Sequence, residues 1–151
     1  MKELLVTKGT GKDAPLLICR EEGGQFLYGL YPEEEGIWSR SCRMKNEQGE
    51  TLGRLEYKHE AFRLAKMPRI RGYLGDREMF LVKRELEQLQ DKVELESETL
   101  KLDGDVPTGN FRLYQGGICV GTYQYQDGQM KIQTEGEETL ATLLAFALEC
   151  F

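Results

Sequence analysis

The sequence predicts a mainly β protein: a closed antiparallel barrel of hairpins, with about 12 strands, that encloses a C-terminal apolar α-helix. Three observations predict this fold class. Turn signals recur at short intervals, the segments between them alternate apolar and polar residues, and the chain ends in the apolar run ETLATLLAFALECF. The length of 151 residues suits one domain, residues 1–151, which can bury a core without disulfide bonds.

The predicted turns are marked by glycine, asparagine and aspartate, because these residues adopt a positive φ at little cost. Between the turns, Phe111 and Leu113 share one face and Arg112 takes the other, and Met130 and Ile132 flank Lys131 in the same way. This period of two is typical of strands with one buried face. The predicted turns lie at residues 21–24, 46–50, 74–78, 102–105, 114–117 and 126–129.

Three segments each read as strand, glycine-bearing turn and strand, so they predict hairpins of a meander rather than a solenoid. They are MKNEQGETLGRLEYK, RIRGYLGDREMFLVKRE and FRLYQGGICVGTYQY. Residues 83–98 are ambiguous, because Leu86, Leu89 and Val93 have helical spacing whereas the second half alternates as a strand does. The pattern alone leaves both interpretations open, and we favour strand, turn, strand.

The C-terminal run predicts a buried helix. From Leu140 to Leu148 it contains one hydroxyl group and no charge. A helix that is apolar on nearly every side is buried on every side, and in an all-β protein its natural place is inside the closed sheet. Thr134 and Glu137 have the spacing of a capping box, which predicts that the helix begins there with acidic residues in its first turn.

The cysteines predict free thiols in a reducing compartment. Cys19, Cys42, Cys119 and Cys150 form no C-x-x-C pair, and the only histidine, His59, has no cysteine nearby, so the spacing does not support a zinc site. The segment MKELLVTKGTGKD lacks the apolar region of a signal peptide, and no run approaches the roughly 18 apolar residues of a membrane-spanning helix. We therefore expect no transmembrane segment and a cytoplasmic protein, peripheral to the membrane if it binds lipid.

A barrel of hairpins threaded by an apolar C-terminal helix resembles the fold shared by tubby C-terminal domains, phospholipid scramblases and LURP-one-related proteins. Within this group, the sequence resembles the bacterial type of LURP-one-related protein. The residues that carry the resemblance are MKNEQGETLGRLEYKHEAFR, PRIRGYLGDREMFLVKRE, LKLDGDVPTGNFRLYQGGICVGTYQYQ and ETLATLLAFAL. The resemblance spans roughly residues 16–150 and implies a tubby-like, scramblase-like β-barrel in which residues 83–98 are strand. It transfers no functional residue, because its motifs are turn patterns and not a catalytic signature.

Motifs for catalysis and cofactor binding are not matched. TKGTGKDAP lacks the first glycine and the Ser or Thr of a phosphate loop. An EF-hand loop starting at Asp103 would place Pro107 and Thr108 where an oxygen ligand and glycine are needed. His59 has neighbours typical of an exposed strand end and no recognisable nucleophile. We therefore expect no enzymatic activity, no catalytic residue, no metal and no cofactor.

The charges are divided unevenly along the chain. Residues 40–84 hold 12 Lys and Arg against 6 Asp and Glu, whereas the remaining residues hold 8 against 20, which together give the net charge of −6. If consecutive hairpins bring the basic residues together, they form a cationic face that can hold anionic lipid head groups. Outward strand positions also carry Lys and Arg routinely, to protect edges, so a plain solvated face is the competing interpretation. The candidate ligand-binding residues are Arg54, Lys58, Arg63, Lys66, Arg69, Arg71, Lys83 and Arg84.

The sequence therefore predicts a non-enzymatic barrel that binds anionic phospholipid head groups or a membrane surface through this basic face. The alternative is a structural or protein-interaction scaffold that has a protein partner and no small ligand. Nucleic acid is not expected as a partner, because the isoelectric point near 5.0 opposes it and aromatic residues are not interleaved with the basic ones.

Overall fold

A computed structural model describes residues 1–10, 14–36, 39–58, 69–87 and 90–150, with only the backbone described for residues 84–87 and 90–92. The described residues form twelve strands and one helix. The elements are β1 (Lys2–Lys8), β2 (Leu17–Glu21), β3 (Phe26–Glu35), β4 (Ser39–Asn46), β5 (Thr51–Lys58), β6 (Arg69–Leu74), β7 (Arg77–Glu87), β8 (Gln90–Glu96), β9 (Leu100–Asp105), β10 (Asn110–Gln115), β11 (Ile118–Gln126), β12 (Gln129–Thr134) and α1 (Glu138–Cys150).

The strands form one antiparallel sheet in the order β8-β7-β6-β5-β4-β3-β2-β1-β12-β11-β10-β9. Strands β1 and β12 pair over Lys2–Val6 and Met130–Thr134. This pairing joins the first strand to the last and curls the sheet into a nearly closed barrel. Among the described residues no ladder joins β8 to β9. The turn between them is held instead by the Ser97 hydroxyl, which donates to the Met79 carbonyl at 2.8 Å and accepts from the Leu100 amide at 3.2 Å. The predicted mainly β barrel is confirmed.

Helix α1 fills the barrel and forms the centre of the core. Residues 140–147 are all buried, in contact with inward side chains from the strands that surround them. The Tyr123 hydroxyl, itself fully buried, donates to the Ala141 carbonyl at 2.7 Å, and the Tyr123 ring stacks on Phe111 with centroids 4.4 Å apart. The prediction that the C-terminal run is the core is therefore confirmed.

The first turn of the helix is anchored to the wall of the barrel. The Tyr28 hydroxyl donates to a Glu138 carboxylate oxygen at 2.9 Å and lies 3.2 Å from the Thr139 hydroxyl, while the Lys2 ammonium group lies 2.9 Å from the other Glu138 oxygen. Burial raises the pKa of Tyr28 to about 12, so the phenol remains a hydrogen-bond donor throughout the neutral range.

The predicted capping box at Thr134 and Glu137 is wrong, because the helix begins four residues after Thr134. Thr134 is the last residue of β12, where it pairs with Lys2 of β1 and Gly121 of β11 and is buried. The Glu137 carbonyl accepts the first helical hydrogen bond, from the Ala141 amide at 3.0 Å. Thr134 is therefore a strand residue, and the position directly before the helix, where a capping residue would lie, is Glu137.

The predicted turn at residues 102–105 is also wrong. These residues belong to β9, which pairs with β10 through Leu102↔Leu113 and Gly104↔Phe111, and the chain turns at residues 106–109 instead. The other five predicted turns each lie between consecutive strands, and the three predicted hairpins are β4–β5, β6–β7 and β10–β11. Residues 83–98 contain the end of β7 and all of β8, as we favoured from the sequence.

The four cysteines are free, as predicted. Within the described part of the chain, no helix has the length and the apolar character needed to cross a membrane.

Removing the Tyr123 hydroxyl is expected to lower the stability. Tyr123→Phe loses a fully buried hydrogen bond and should cost about 1–2 kcal/mol, or a fall of several degrees in melting temperature. Tyr125→Phe, on the same strand but 43% exposed, is the matched control and should have little effect. Thermal denaturation followed by circular dichroism measures both, and equal melting temperatures for the two variants would contradict the assigned role of the hydroxyl.

Candidate functional site

Five of the eight predicted basic residues lie on the outer face of three adjacent strands. Arg54 and Lys58 are on β5, Arg69 and Arg71 on β6, and Lys83 on β7. Their neighbours along each strand, such as Leu55, Ile70 and Val82, point into the core and are buried. The alternation along a pleated strand therefore turns these basic side chains outward together. The basic face consists of Arg54, Lys58, Arg69, Arg71 and Lys83.

Three of these residues are aligned in register across the sheet. Lys58 pairs with Arg69, and Arg69 pairs with Lys83, so cations from β5, β6 and β7 stand side by side. Ser39 of β4 continues the row beyond Lys58, and Glu94 of β8 ends it beyond Lys83. Adjacent strands lie about 4.8 Å apart, which sets the spacing between the three residues. The cationic row is Lys58, Arg69 and Lys83.

The other two residues of the basic face, Arg54 and Arg71, form ion pairs with acidic residues of β5 and β7. Arg54 pairs with Glu56 at 2.8 Å, and Arg71 pairs with Glu78 at 2.9 Å. The Arg54 guanidinium also lies 5.2 Å from the centre of the Tyr73 ring, on the neighbouring strand. These exposed pairs leave this part of the face close to neutral, and each contributes little to stability.

Glu96 of β8 forms an ion pair with the cationic row. Its carboxylate lies 2.6 Å from the Lys83 ammonium group. This hydrogen bond and the Lys83 charge lower the pKa of Glu96, and Arg69 and Arg71 act in the same direction. Lys58, by contrast, has no acidic partner within 4 Å among the described residues. The row is therefore partly neutralised at the Lys83 end and open at the Lys58 end.

Three of the predicted residues cannot be assigned to the site. Arg63 and Lys66 lie in residues 59–68, outside the described residues. Arg84 follows Lys83 in β7, where its backbone pairs with Val93, but its side chain is outside the described part.

A cavity of about 220 Å³ adjoins the open end of the row, between the outer ends of β3, β4 and β5. Arg40, Arg54 and Lys58 contribute its cations and Ser39 and Ser41 its hydroxyl groups. The Arg40 guanidinium lies over the Tyr57 ring, 5.6 Å from its centre, so the ring packs against one side of the guanidinium. A rim of cations and hydroxyl groups is suited to the oxygen atoms of an anion. The acidic residues that line the same cavity are Glu33, Glu34 and Glu56.

Sequence reasoning missed the contribution of β4. Arg40 and Arg43 belong to the basic block of residues 40–84, yet neither was selected as a site residue. Arg43 forms an ion pair with Glu33 of β3, and this hydrogen bond lowers the pKa of Glu33. The alternation in SRSCRMKN was a usable signal, because it places Ser39 and Ser41 on the face that Lys58 shares.

A second surface notch lies elsewhere and has a different chemistry. It has a volume of about 350 Å³ and is lined by residues 77–80 and 96–99, which include Glu78, Glu96 and Glu98 beside Arg77. Its mostly acidic lining does not suit an anion. Among the side chains that the structure describes, no cluster of three or more His, Cys, Asp or Glu is placed to hold a metal ion.

Comparisons with models of protein families, with curated proteins and with solved structures found no match to this chain. The resemblance to LURP-one-related proteins is therefore still a prediction from the sequence.

Proposed function

We propose that the protein is a non-enzymatic, tubby-like barrel that docks on an anionic membrane surface through the cationic row. The observation that carries the proposal is the register of Lys58, Arg69 and Lys83, which places three cations side by side on the outer face of the sheet. The resemblance to LURP-one-related proteins is part of the same proposal. The location that goes with it is cytoplasmic and peripheral to the membrane.

An anion would relieve the electrostatic cost of the row. Like charges directly opposite each other on adjacent strands are destabilising, and the row contains two such contacts, Lys58 with Arg69 and Arg69 with Lys83. Glu96 offsets part of this repulsion at one end. A phosphate group beside Lys58, which has no acidic partner among the described residues, would offset it at the other end, where Ser39 and Arg40 supply further hydrogen-bond donors.

The small number of cations in the row and the negative net charge of the chain set the expected strength of binding. Each basic residue near an anionic membrane contributes about 1 kcal/mol, and this attraction falls within a Debye length. With three cations and a net charge of −6 for the whole chain, the interaction should be weak and strongly dependent on salt. Anionic lipid is favoured over neutral lipid, because the exposed face offers charge and hydroxyl groups rather than a large apolar surface.

Co-sedimentation with vesicles tests the proposal. The wild-type chain should bind vesicles that contain phosphoinositide and not vesicles of neutral phosphatidylcholine, and added salt should release it. Lys58→Glu should weaken binding about tenfold, because it reverses a charge that has no acidic partner among the described residues. Arg20→Glu is the matched control, since this exposed residue of β2 lies away from the face and changes the net charge equally.

A second variant should act in the opposite direction. Glu96→Gln removes the carboxylate that neutralises Lys83 and should strengthen binding about fivefold. Glu96 is exposed, so the variant should fold normally, which a thermal melt verifies. If Lys58→Glu and Arg20→Glu weaken binding equally, the effect comes from the change in net charge alone. That result would refute the assignment of the cationic row as the binding site. Absence of binding at low salt would refute membrane docking and leave the protein-interaction scaffold as the better hypothesis.

A further inference from the structure

The barrel has a seam between β8 and β9, the two strands at the ends of the sheet order. All seven residues of β8 pair with β7, and β9 pairs with β10. The other edges of β8 and β9 border the seam, and among the described residues no ladder joins them. Every second backbone N–H and C=O group of a strand points to each side. Both strands therefore direct backbone groups to the seam that no strand pairs in the described part of the chain.

The apolar side chains beside the seam are less covered than those elsewhere in the barrel wall. Inward residues of the nearby strands, such as Ile70 on β6 and Val82 on β7, are each only 1% exposed. Along the seam, the inward residues Val93, Leu95 and Leu102 pack against the core but are only half-buried. The sheet therefore leaves part of its core layer in contact with solvent here, and an added strand would cover it.

The outward side chains that border the seam are mostly acidic. Among the described side chains of β8 and β9, four exposed outward carboxylates stand beside one cation, Lys101. On the neighbouring strands, Lys83 forms an ion pair with one of these carboxylates and Arg112 stands opposite another. The acidic residues are Glu94 and Glu96 on β8 and Asp103 and Asp105 on β9.

The acidic notch described above lies at the turn that ends the seam. Residues 96–99, which connect β8 to β9, line this notch of about 350 Å³ together with residues 77–80 of β7. Glu96 and Glu98 contribute carboxylates from the side of the turn, and Arg77 is the cation in the lining. A basic residue at the end of a strand that occupied the seam would therefore lie beside further carboxylates.

The charge of the seam determines which kind of strand suits it. A second copy of this chain that paired through the same edge would set carboxylates against carboxylates, and like charges directly opposite each other destabilise a sheet. An extended segment that alternates basic and apolar residues fits both faces. Its apolar side chains would cover Val93, Leu95 and Leu102, and its basic side chains would meet Glu94 and Asp103.

We propose that the seam is a docking site for a basic, extended segment of a partner protein, which adds as a further strand to the edge of β8. Strand β8 has seven residues, whereas β9 has six and is interrupted at Gly104, where φ is +117°. The longer regular edge is therefore that of β8. The segment meets carboxylates and not the cations of the cationic row, so this docking needs no membrane and is independent of the proposed function.

Two designed peptides test the seam in solution. The probe is a fluorescent peptide of about eight residues that alternates lysine and valine, and the control peptide has the same composition with its lysines and valines in separate blocks. At low salt the full chain should bind the alternating peptide about tenfold more tightly. Only alternation places the lysines on one face of an added strand and the valines on the other. Fluorescence anisotropy measures both affinities.

Charge reversal and hydrogen exchange locate the bound peptide. Glu94→Lys combined with Asp103→Lys should weaken binding of the alternating peptide about tenfold. Glu47→Lys combined with Glu50→Lys, at exposed positions between β4 and β5, changes the net charge equally and should weaken it much less. Binding to the wild-type chain should also slow amide exchange within residues 93–96. A thermal melt verifies that both double variants fold.

Several results would overturn the proposal. Equal affinities for the two peptides, or equal losses in the two double variants, would mean that charge alone attracts the peptide. Binding that leaves amide exchange within residues 93–96 unchanged would place the peptide elsewhere. If the alternating peptide does not bind at low salt, the acidic side chains only protect the edges of β8 and β9 from pairing.

Discussion

Removal of residues 139–151 is expected to unfold the barrel. Leu140, Leu143, Leu144 and Phe146 are completely buried against side chains from the strands around them. Burial of each such side chain contributes about 2 kcal/mol, so these four alone contribute about 8 kcal/mol. The total stability of a domain is about 5–15 kcal/mol, and the remaining sheet would enclose a wide apolar cavity. The truncated chain should therefore show no cooperative thermal transition.

A shorter truncation gives the matched control. Deletion of residues 149–151 removes only the end of α1, where Glu149 and Cys150 are partly exposed, and should lower the melting temperature slightly. Leu144→Ala, which keeps the helix, should cost about 2–5 kcal/mol and give a cooperative transition at a lower temperature. Near-ultraviolet circular dichroism and calorimetry distinguish the three cases. A cooperative melt of the chain without residues 139–151 would show that the strands form a stable core on their own.

The parts of the fold that the sequence predicts well are those in which local pattern and burial agree. Alternation over residues 111–113 and 130–132 specifies one buried face, and the structure buries Phe111, Leu113, Met130 and Ile132 in the core. The helix was predictable because its residues are apolar on every side, which only a fully enclosed position satisfies.

The two errors have the same physical origin. Thr134 and Glu137 have good capping chemistry, and residues 102–105 have good turn chemistry, but in both places hydrogen bonding to neighbouring strands determines the backbone. Local preferences of about 1 kcal/mol are outweighed when several ladder hydrogen bonds and the burial of one face favour an extended strand.

The composition of the basic face was predictable and its electrostatics were not. Period-two spacing placed Lys58 and Arg54, and Arg69 and Arg71, on common faces of two strands. The carboxylates that pair with the face come partly from β8, and Glu96 reaches Lys83 only through the β7–β8 register. A charge count along the chain cannot separate Lys58, which has no acidic partner among the described residues, from Lys83, which has one.

Replacement of Gly104 by alanine is expected to produce a large loss of stability from a single methyl group. Gly104 has φ of +117°, in a region that residues with a side chain rarely adopt. A Cβ atom there would lie 2.7 Å from the Asn110 carbonyl oxygen and 2.8 Å from the Phe111 Cα atom. Both atoms are backbone atoms of the paired strand β10, so the clash cannot be relieved by a side-chain rotation. We expect a loss of about 3–4 kcal/mol, from backbone strain and from the displaced strand.

Gly23 provides a control with the same backbone conformation. Its φ is also +117°, but a Cβ atom at Gly23 would meet nothing within 4 Å. Gly23→Ala therefore carries the backbone strain alone, about 1–2 kcal/mol, and the difference between the two variants isolates the close approach of β9 and β10. Denaturant unfolding of both variants measures that difference. Equal losses would mean that β9 can move away from Phe111 at no cost. The pairing of β9 with β10, which makes residues 102–105 a strand and not a turn, would then be weak.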